Sequence, residues 1–145
     1  MNNQEIDEHY LAIVKEVNND IEGKSDKKWV PKTLQELKII MNKIIPIFGN
    51  NGNYNWIDTC NITSLTCLFK NQPDFNGDIT RWDVSNVTNI NQAFMGCKSF
   101  TQNLKNWDMS NVISATGGFN GCVNYPYKDE IKAKLKNAKF KMSLF

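Results

Sequence analysis

Between Asn51 and Tyr125 the sequence repeats itself three times at a fixed spacing of 25 residues, without a gap. The rows read NGNYNWIDTCNITSLTCLFKNQPDF, NGDITRWDVSNVTNINQAFMGCKSF and TQNLKNWDMSNVISATGGFNGCVNY. Asp58, Asp83 and Asp108 share a column, as do Asn61, Asn86 and Asn111, and Phe69, Phe94 and Phe119. Apolar columns run Ile62/Val87/Val112, Leu65/Ile90/Ala115 and Phe75/Phe100/Tyr125. A fixed period of this length makes each row one supersecondary unit, which buries its apolar face only by stacking on its neighbours.

Each row carries a loose L-x-x-L-x-L: Tyr54, Ile57, Thr59; Ile79, Trp82, Val84; Leu104, Trp107, Met109. The alternating end of that pattern predicts a short strand. After a Ser/Cys-Asn turn, apolar spacings of three and four predict a short helix with Thr63 or Thr88 as N-cap. Row three lacks the Thr and carries Gly117-Gly118, so its helix is expected to be the weakest. One strand and one helix per row predicts an α/β fold over 49–125: a short right-handed leucine-rich-repeat-type solenoid with a small parallel sheet, capped by N-terminal helices.

Residues 1–48 stand outside the repeat and read as that cap. Ile6, Tyr10, Ile13, Val14, Val17 and Ile21 mark one helical face ending at Gly23. Thr33-Leu-Gln-Glu36 is a capping box that opens a second helix, with Leu34, Leu37, Ile40, Met41, Ile44 and Ile45 inward and Pro46 and Gly49 closing it. Residues 126–145 read as a C-terminal cap with a helix begun near Asp129. There Leu135 to Phe140 echoes Leu104 to Met109, 31 residues later, as a degenerate fourth strand. One continuous basic helix over 129–142 is the alternative; the alternation from Lys139 to Leu144 favours the strand.

Row two with its lead, Phe75-Asn-Gly-Asp-Ile-Thr-Arg-Trp-Asp-Val-Ser-Asn-Val-Thr-Asn-Ile90, resembles the BspA-like leucine-rich repeat family, whose pattern is F-N-x-D-I-S-x-W-D-V-S-N-V-T-N-M. The resemblance covers residues 29–125, including the lead-in from Pro31 to Thr63. It implies binding: bacterial surface proteins of this kind adhere to host proteins, generally with a signal peptide and many repeats. This chain has three clear rows, and its start, MNNQEIDEHYLAIV, is acidic where a secretory signal is basic. A cytoplasmic location is therefore expected, with no membrane span.

Composition narrows the chemistry. The 145 residues carry a net charge of +2, one histidine (His9) and four cysteines, Cys60, Cys67, Cys97 and Cys122, at spacings of 7, 30 and 25. With no C-x-x-C pair, a metal site is not expected, and free thiols are the default in a reducing compartment. No nucleophile–base pair or phosphate loop is present, so neither catalytic residues nor cofactors are assigned and no enzyme activity is expected. Six lysines against two acids over 126–145 could touch phosphates, but a single arginine in the chain makes direct nucleic-acid contact the weaker reading.

The Asp column, on parallel strands about 4.8 Å apart, would be a ladder of like charges. It persists if each carboxylate accepts N–H bonds from its own Asp-x-Ser/Cys-Asn turn, with Lys139 ending the ladder on the fourth strand. The Asn column and the Cys97/Cys122 column read as structural. Specificity is expected in the outward columns that vary between rows: Asn55 and Trp56, Thr80 and Arg81, Lys105 and Asn106. Trp and Arg are the types most enriched at binding hot spots; alternatively Trp56 folds back on the N-terminal cap.

The function that follows is a non-enzymatic protein-binding module whose partner is another protein. A stand-alone binder acts mainly by occupying its target, which suits a small intracellular inhibitor or blocking protein, for example one serving a mobile element against a host defence nuclease. A surface adhesin fragment and a nucleic-acid contact through the basic C-terminus are the alternatives.

Overall fold

The computed structural model of the chain describes residues 29–145, together with Glu8 and Ala12 as isolated, exposed helical positions. The helical face drawn from Ile6 to Ile21 lies outside the described residues. Helix α1 spans Leu34–Phe48. Its N-cap Thr33 accepts the Glu36 N–H at 3.1 Å, while the Glu36 carboxylate accepts the Lys32 N–H at 2.9 Å. Leu37, Ile40, Met41 and Ile44 are buried, and Leu34 and Ile45 are half-buried beside them. The helix runs through Pro46 and stops at Gly49, whose φ of +87° and N–H bond to the Ile45 carbonyl end the spiral.

The three rows stack in the expected order, but not as strands and helices. Over residues 29–145 the only helices are α1 and α2 (Lys128–Lys134), and neither lies in a row. Adjacent rows meet through isolated parallel bridges, Asn53 to Asp78, Ser64 to Asn89 and Asn89 to Ser114, and no strand extends beyond one bridge. The expectation of a leucine-rich-repeat-type solenoid with a parallel sheet and a helix per row is therefore corrected: each row is a coil of consecutive turns. Turns close at Tyr54–Ile57 and Thr59–Ile62, at Ile79–Trp82 and Val84–Val87, and at Leu104–Trp107 and Met109–Val112.

The physical reason lies in the stretch read as a helix. Cys67, Gln92 and Gly117 share a column and have φ of 59°, 54° and 64°; Asn71, Gly96 and Gly121 share another, at 60°, 78° and 81°. Two left-handed residues four apart cannot belong to a right-handed helix. They orient alternate peptide groups along the stack instead. The N–H groups of Leu65, Cys67, Phe69 and Asn71 donate to the carbonyls of Asn89, Asn91, Ala93 and Met95. Ile90, Gln92, Phe94 and Gly96 donate in turn to Ser114, Thr116, Gly118 and Asn120. Every bond in this set points the same way, N–H toward the C-terminal end.

Aromatic columns fill the core. Phe69, Phe94, Phe119 and Phe145 stack with centroids 5.5, 4.9 and 5.5 Å apart. Phe75, Phe100 and Tyr125 form a second column beside them, at 6.2 and 5.7 Å. Such pairs add about 0.5–1.5 kcal/mol each beyond the area they bury.

A last rung exists, at a different alignment from the one expected. Ser114 bridges Phe140, and the N–H groups of Ala115, Gly117 and Phe119 donate to Phe140, Met142 and Leu144. Leu135 takes the place of Met109, because the Ala138-to-Leu135 turn repeats the Val112-to-Met109 turn. The offset is thus 26 residues, and the column of Asp108 continues into Lys134, not Lys139. The alternative of one helix over 129–142 is also excluded, since α2 ends at Lys134.

A candidate interaction ridge of stacked turns

Asx turns set the backbone at one corner of every coil. The Asn53 side-chain oxygen accepts the Asn55 N–H at 3.0 Å, Asp78 accepts Thr80 at 3.1 Å, and Asn103 accepts Lys105 at 3.0 Å. Each turn closes with an i-to-i+3 backbone bond onto Tyr54, Ile79 or Leu104. The two central residues of each turn are the six positions singled out in the sequence: Asn55 and Trp56, Thr80 and Arg81, Lys105 and Asn106. The structure brings them together, one pair per coil, at turn tips rather than on strands. The Asn55 side chain ties the first tip to the second by accepting the Arg81 N–H at 2.8 Å.

The six are not equivalent. Arg81, Lys105 and Asn106 are exposed, and Asn55, Trp56 and Thr80 are half-buried. The Thr80 hydroxyl donates to Asp78 at 2.7 Å and serves the turn. Trp56 packs edge-on against Phe48 of α1, with centroids 6.4 Å apart, and its indole N–H donates to the Asn53 carbonyl at 3.0 Å. It folds back on the cap, as the alternative reading had it. Trp82 and Trp107 send their indole N–H groups to the Tyr54 and Ile79 carbonyls of the preceding coil, both at 2.9 Å. The exposed tip side chains are Arg81, Lys105 and Asn106, a cationic and amide patch on a fixed backbone. Sequence reasoning passed over Asn53, Asp78 and Asn103, although an Asn or Asp two residues before each variable pair was the readable signal.

The neighbouring Asp column behaves as expected. Asp58, Asp83 and Asp108 accept the N–H of Cys60, Ser85 and Ser110, each at 3.0 Å. Hydrogen bonds from the Ser85 hydroxyl and N–H hold the Asp83 carboxyl below its ordinary range. Those from Ser110 do the same for Asp108, and Lys134 adds its charge. Burial works against ionisation of Asp78, but the bonds from Asn55 and Thr80 and the charge of Arg81 prevail and its pKa is lowered. The Asn column is structural: Asn86 and Asn111 donate to the Cys60 and Ser85 carbonyls one coil back, at 2.8 and 2.6 Å. Lys134 ends the Asp column and also donates to the Lys105 and Trp107 carbonyls at 2.8 and 2.9 Å.

Buried thiols complete the inner side. Cys97 and Cys122 donate to the Phe69 and Phe94 carbonyls, both at 3.0 Å, and burial pushes their pKa up to about 12 and about 11. Among the described residues, no group of three or more His, Cys, Asp or Glu side chains is placed to hold a metal ion. Nor is any helix among them long and apolar enough to cross a membrane.

A family described as Mycoplasma protein of unknown function, DUF285, matches residues 41–143, which spans α1 from Met41 onward, all three coils and the last rung to Ser143. The chain belongs to this family. No curated protein and no solved structure matches it significantly. The DUF285 match takes in all six turn-tip residues and the Asx residues beneath them.

Proposed function

We propose that this DUF285 chain is a non-enzymatic protein-binding module that acts by occupying another protein, as a small intracellular inhibitor or blocking protein does. One observation carries the reading: the same Asx turn recurs on three coils, with its backbone held constant while its central pair changes from row to row and leaves Arg81, Lys105 and Asn106 exposed. A constant scaffold with variable tips separates folding from recognition. Arg81, with no side-chain hydrogen bond among the described residues, is the anchor, flanked by Lys105 and Asn106. A partner with carboxylates or carbonyl groups at this spacing suits them. The resemblance of the rows to the BspA-like family, whose known activity is binding, agrees with this. The intracellular location is supported by the use of the Cys97 and Cys122 thiols as S–H donors, a role that oxidation would remove.

The test is capture from cytosol of the source organism on the immobilised chain, with an Arg81→Glu/Lys105→Glu variant alongside. Both side chains are exposed, so folding is expected to be retained, and circular dichroism checks this. One protein enriched in stoichiometric amount on the native chain and lost on the variant supports the reading. Equal capture on both removes the ridge from consideration.

A further inference from the structure

Along the segment from Leu65 to Asn71 and its counterparts in the later rows, the bonds between coils run one way, so this face of the stack differs chemically at its two ends. Beyond the last rung, the N–H groups of Lys141, Ser143 and Phe145 occupy the positions that donate to a following coil in every earlier row, and they have no acceptor among the described residues. Ser143, with φ of 51°, repeats the left-handed residue of Cys67, Gln92 and Gly117, so the last rung keeps the geometry of the others. Its outward side chains do not. The columns that hold Ser64, Asn89 and Ser114, and Thr66, Asn91 and Thr116, carry polar groups bonded from coil to coil, as in Thr66 to Asn89 and Ser114 to Asn91. In the last rung they become Phe140 and Met142, 60% and 78% exposed. Lys139 beside them is exposed, and the Lys141 ammonium is bound to the Leu135 and Lys136 carbonyls.

From these features we infer that the last rung is a second docking edge, one that takes an extended segment of a partner protein as a further rung. The segment supplies carbonyls at alternate residues to Lys141, Ser143 and Phe145, apolar side chains over Phe140 and Met142, and acidic side chains toward Lys139. The charge is complementary: residues 126–145 hold six lysines against Asp129 and Glu130. A second copy of this chain fits poorly. Two such edges face each other donor to donor, and the first coil brings Ser64 and Thr66 against Phe140 and Met142. Main-chain bonding at an open edge supplies affinity, and the alternate side chains supply choice.

This edge rests on the chain being a protein-binding module but uses none of the turn-tip residues, so the two surfaces are tested apart. The probe is the alternating peptide acetyl-EVEVEVE-amide, titrated into the ¹⁵N-labelled full chain, with acetyl-KVKVKVK-amide as the charge control. The expected result is that the Lys141, Ser143 and Phe145 amides shift and gain protection with the acidic peptide alone. Lys141→Pro removes one free backbone donor together with the ammonium bonds to the Leu135 and Lys136 carbonyls, so it is read against Lys141→Ala, which loses only the ammonium bonds; extended Phe140 in its bridge tolerates a following proline. Relative to Lys141→Ala, Lys141→Pro is expected to weaken binding about tenfold, the worth of one net hydrogen bond. Phe140→Ser is expected to weaken it severalfold, and Arg81→Glu/Lys105→Glu to leave it unchanged. Absence of shifts at these amides, shifts centred on Arg81 and Lys105, or equal affinities of Lys141→Pro and Lys141→Ala overturns the inference. Concentration-dependent shifts of the edge amides without peptide assign the edge to a second copy and overturn it equally.

Discussion

Phe94→Ala probes the stack at its centre. Phe94 is fully buried and touches four aromatic rings: Phe69 at 5.5 Å, Phe119 at 4.9 Å, Phe100 at 4.5 Å and Trp107 at 6.1 Å. Its backbone bonds to Gly118 and Cys122 survive the substitution, so the loss is one of packing. Truncating a buried Phe costs about 3–5 kcal/mol, against a total stability of about 5–15 kcal/mol for a typical domain. Phe145→Ala, at the half-buried end of the same column against Phe119 and Tyr125, is expected to cost about 1–2 kcal/mol. Urea unfolding followed by tryptophan fluorescence reads both, since Trp82 and Trp107 are buried against this column. A loss under about 1 kcal/mol for Phe94→Ala, or equal losses at the two positions, refutes a continuous stacked column.

The lowered pKa values of Asp78, Asp83 and Asp108 give stability that is present above the unfolded carboxylate range, about 3.9, and is lost as pH falls through the lower folded values. Asp83→Asn keeps the turn acceptor but not the charge, so urea midpoints between pH 7 and pH 2.5 are expected to fall less steeply than in the native chain. Lys134→Ala leaves the Lys105 and Trp107 carbonyls without their ammonium donor and is expected to cost about 1–2 kcal/mol. By NMR titration it also raises the Asp108 pKa, while Lys139→Ala leaves it unchanged. Burial keeps the Cys97 and Cys122 thiols protonated, so iodoacetamide at pH 8 is expected to spare both until the chain is unfolded; peptide mapping that finds either one alkylated in the native chain contradicts their buried placement.

The period was legible because burial enforces it. Ile62, Leu65, Phe69 and their counterparts must face one another across rows, and all are buried. The secondary structure within a row was not legible from apolar spacing alone. Spacings of three and four suit a helix and equally suit turns that close every few residues, and two of the deciding residues, Cys67 and Gln92, are ordinary types in left-handed backbone, whereas Asn71 is of a type that adopts it readily. Gly96, Gly117 and Gly121 in the same columns were the available signal. The turn-tip columns were legible as variable positions, yet the share of Trp56 in folding depends on Phe48 of α1, which no repeat pattern encodes. The last rung was placed five residues late because Leu135 to Phe140 happens to imitate Leu104 to Met109, whereas the backbone aligns Leu135 with Met109.

Scalar couplings across hydrogen bonds, measured by NMR on the ¹⁵N,¹³C-labelled chain, test the turn-built stack most directly. The account predicts couplings from the Phe69 amide to the Ala93 carbonyl, from Phe94 to Gly118 and from Phe119 to Leu144, bonds of 2.8, 2.8 and 2.7 Å. Couplings from these amides to carbonyls four residues earlier in the same row, as a helix gives, would contradict it.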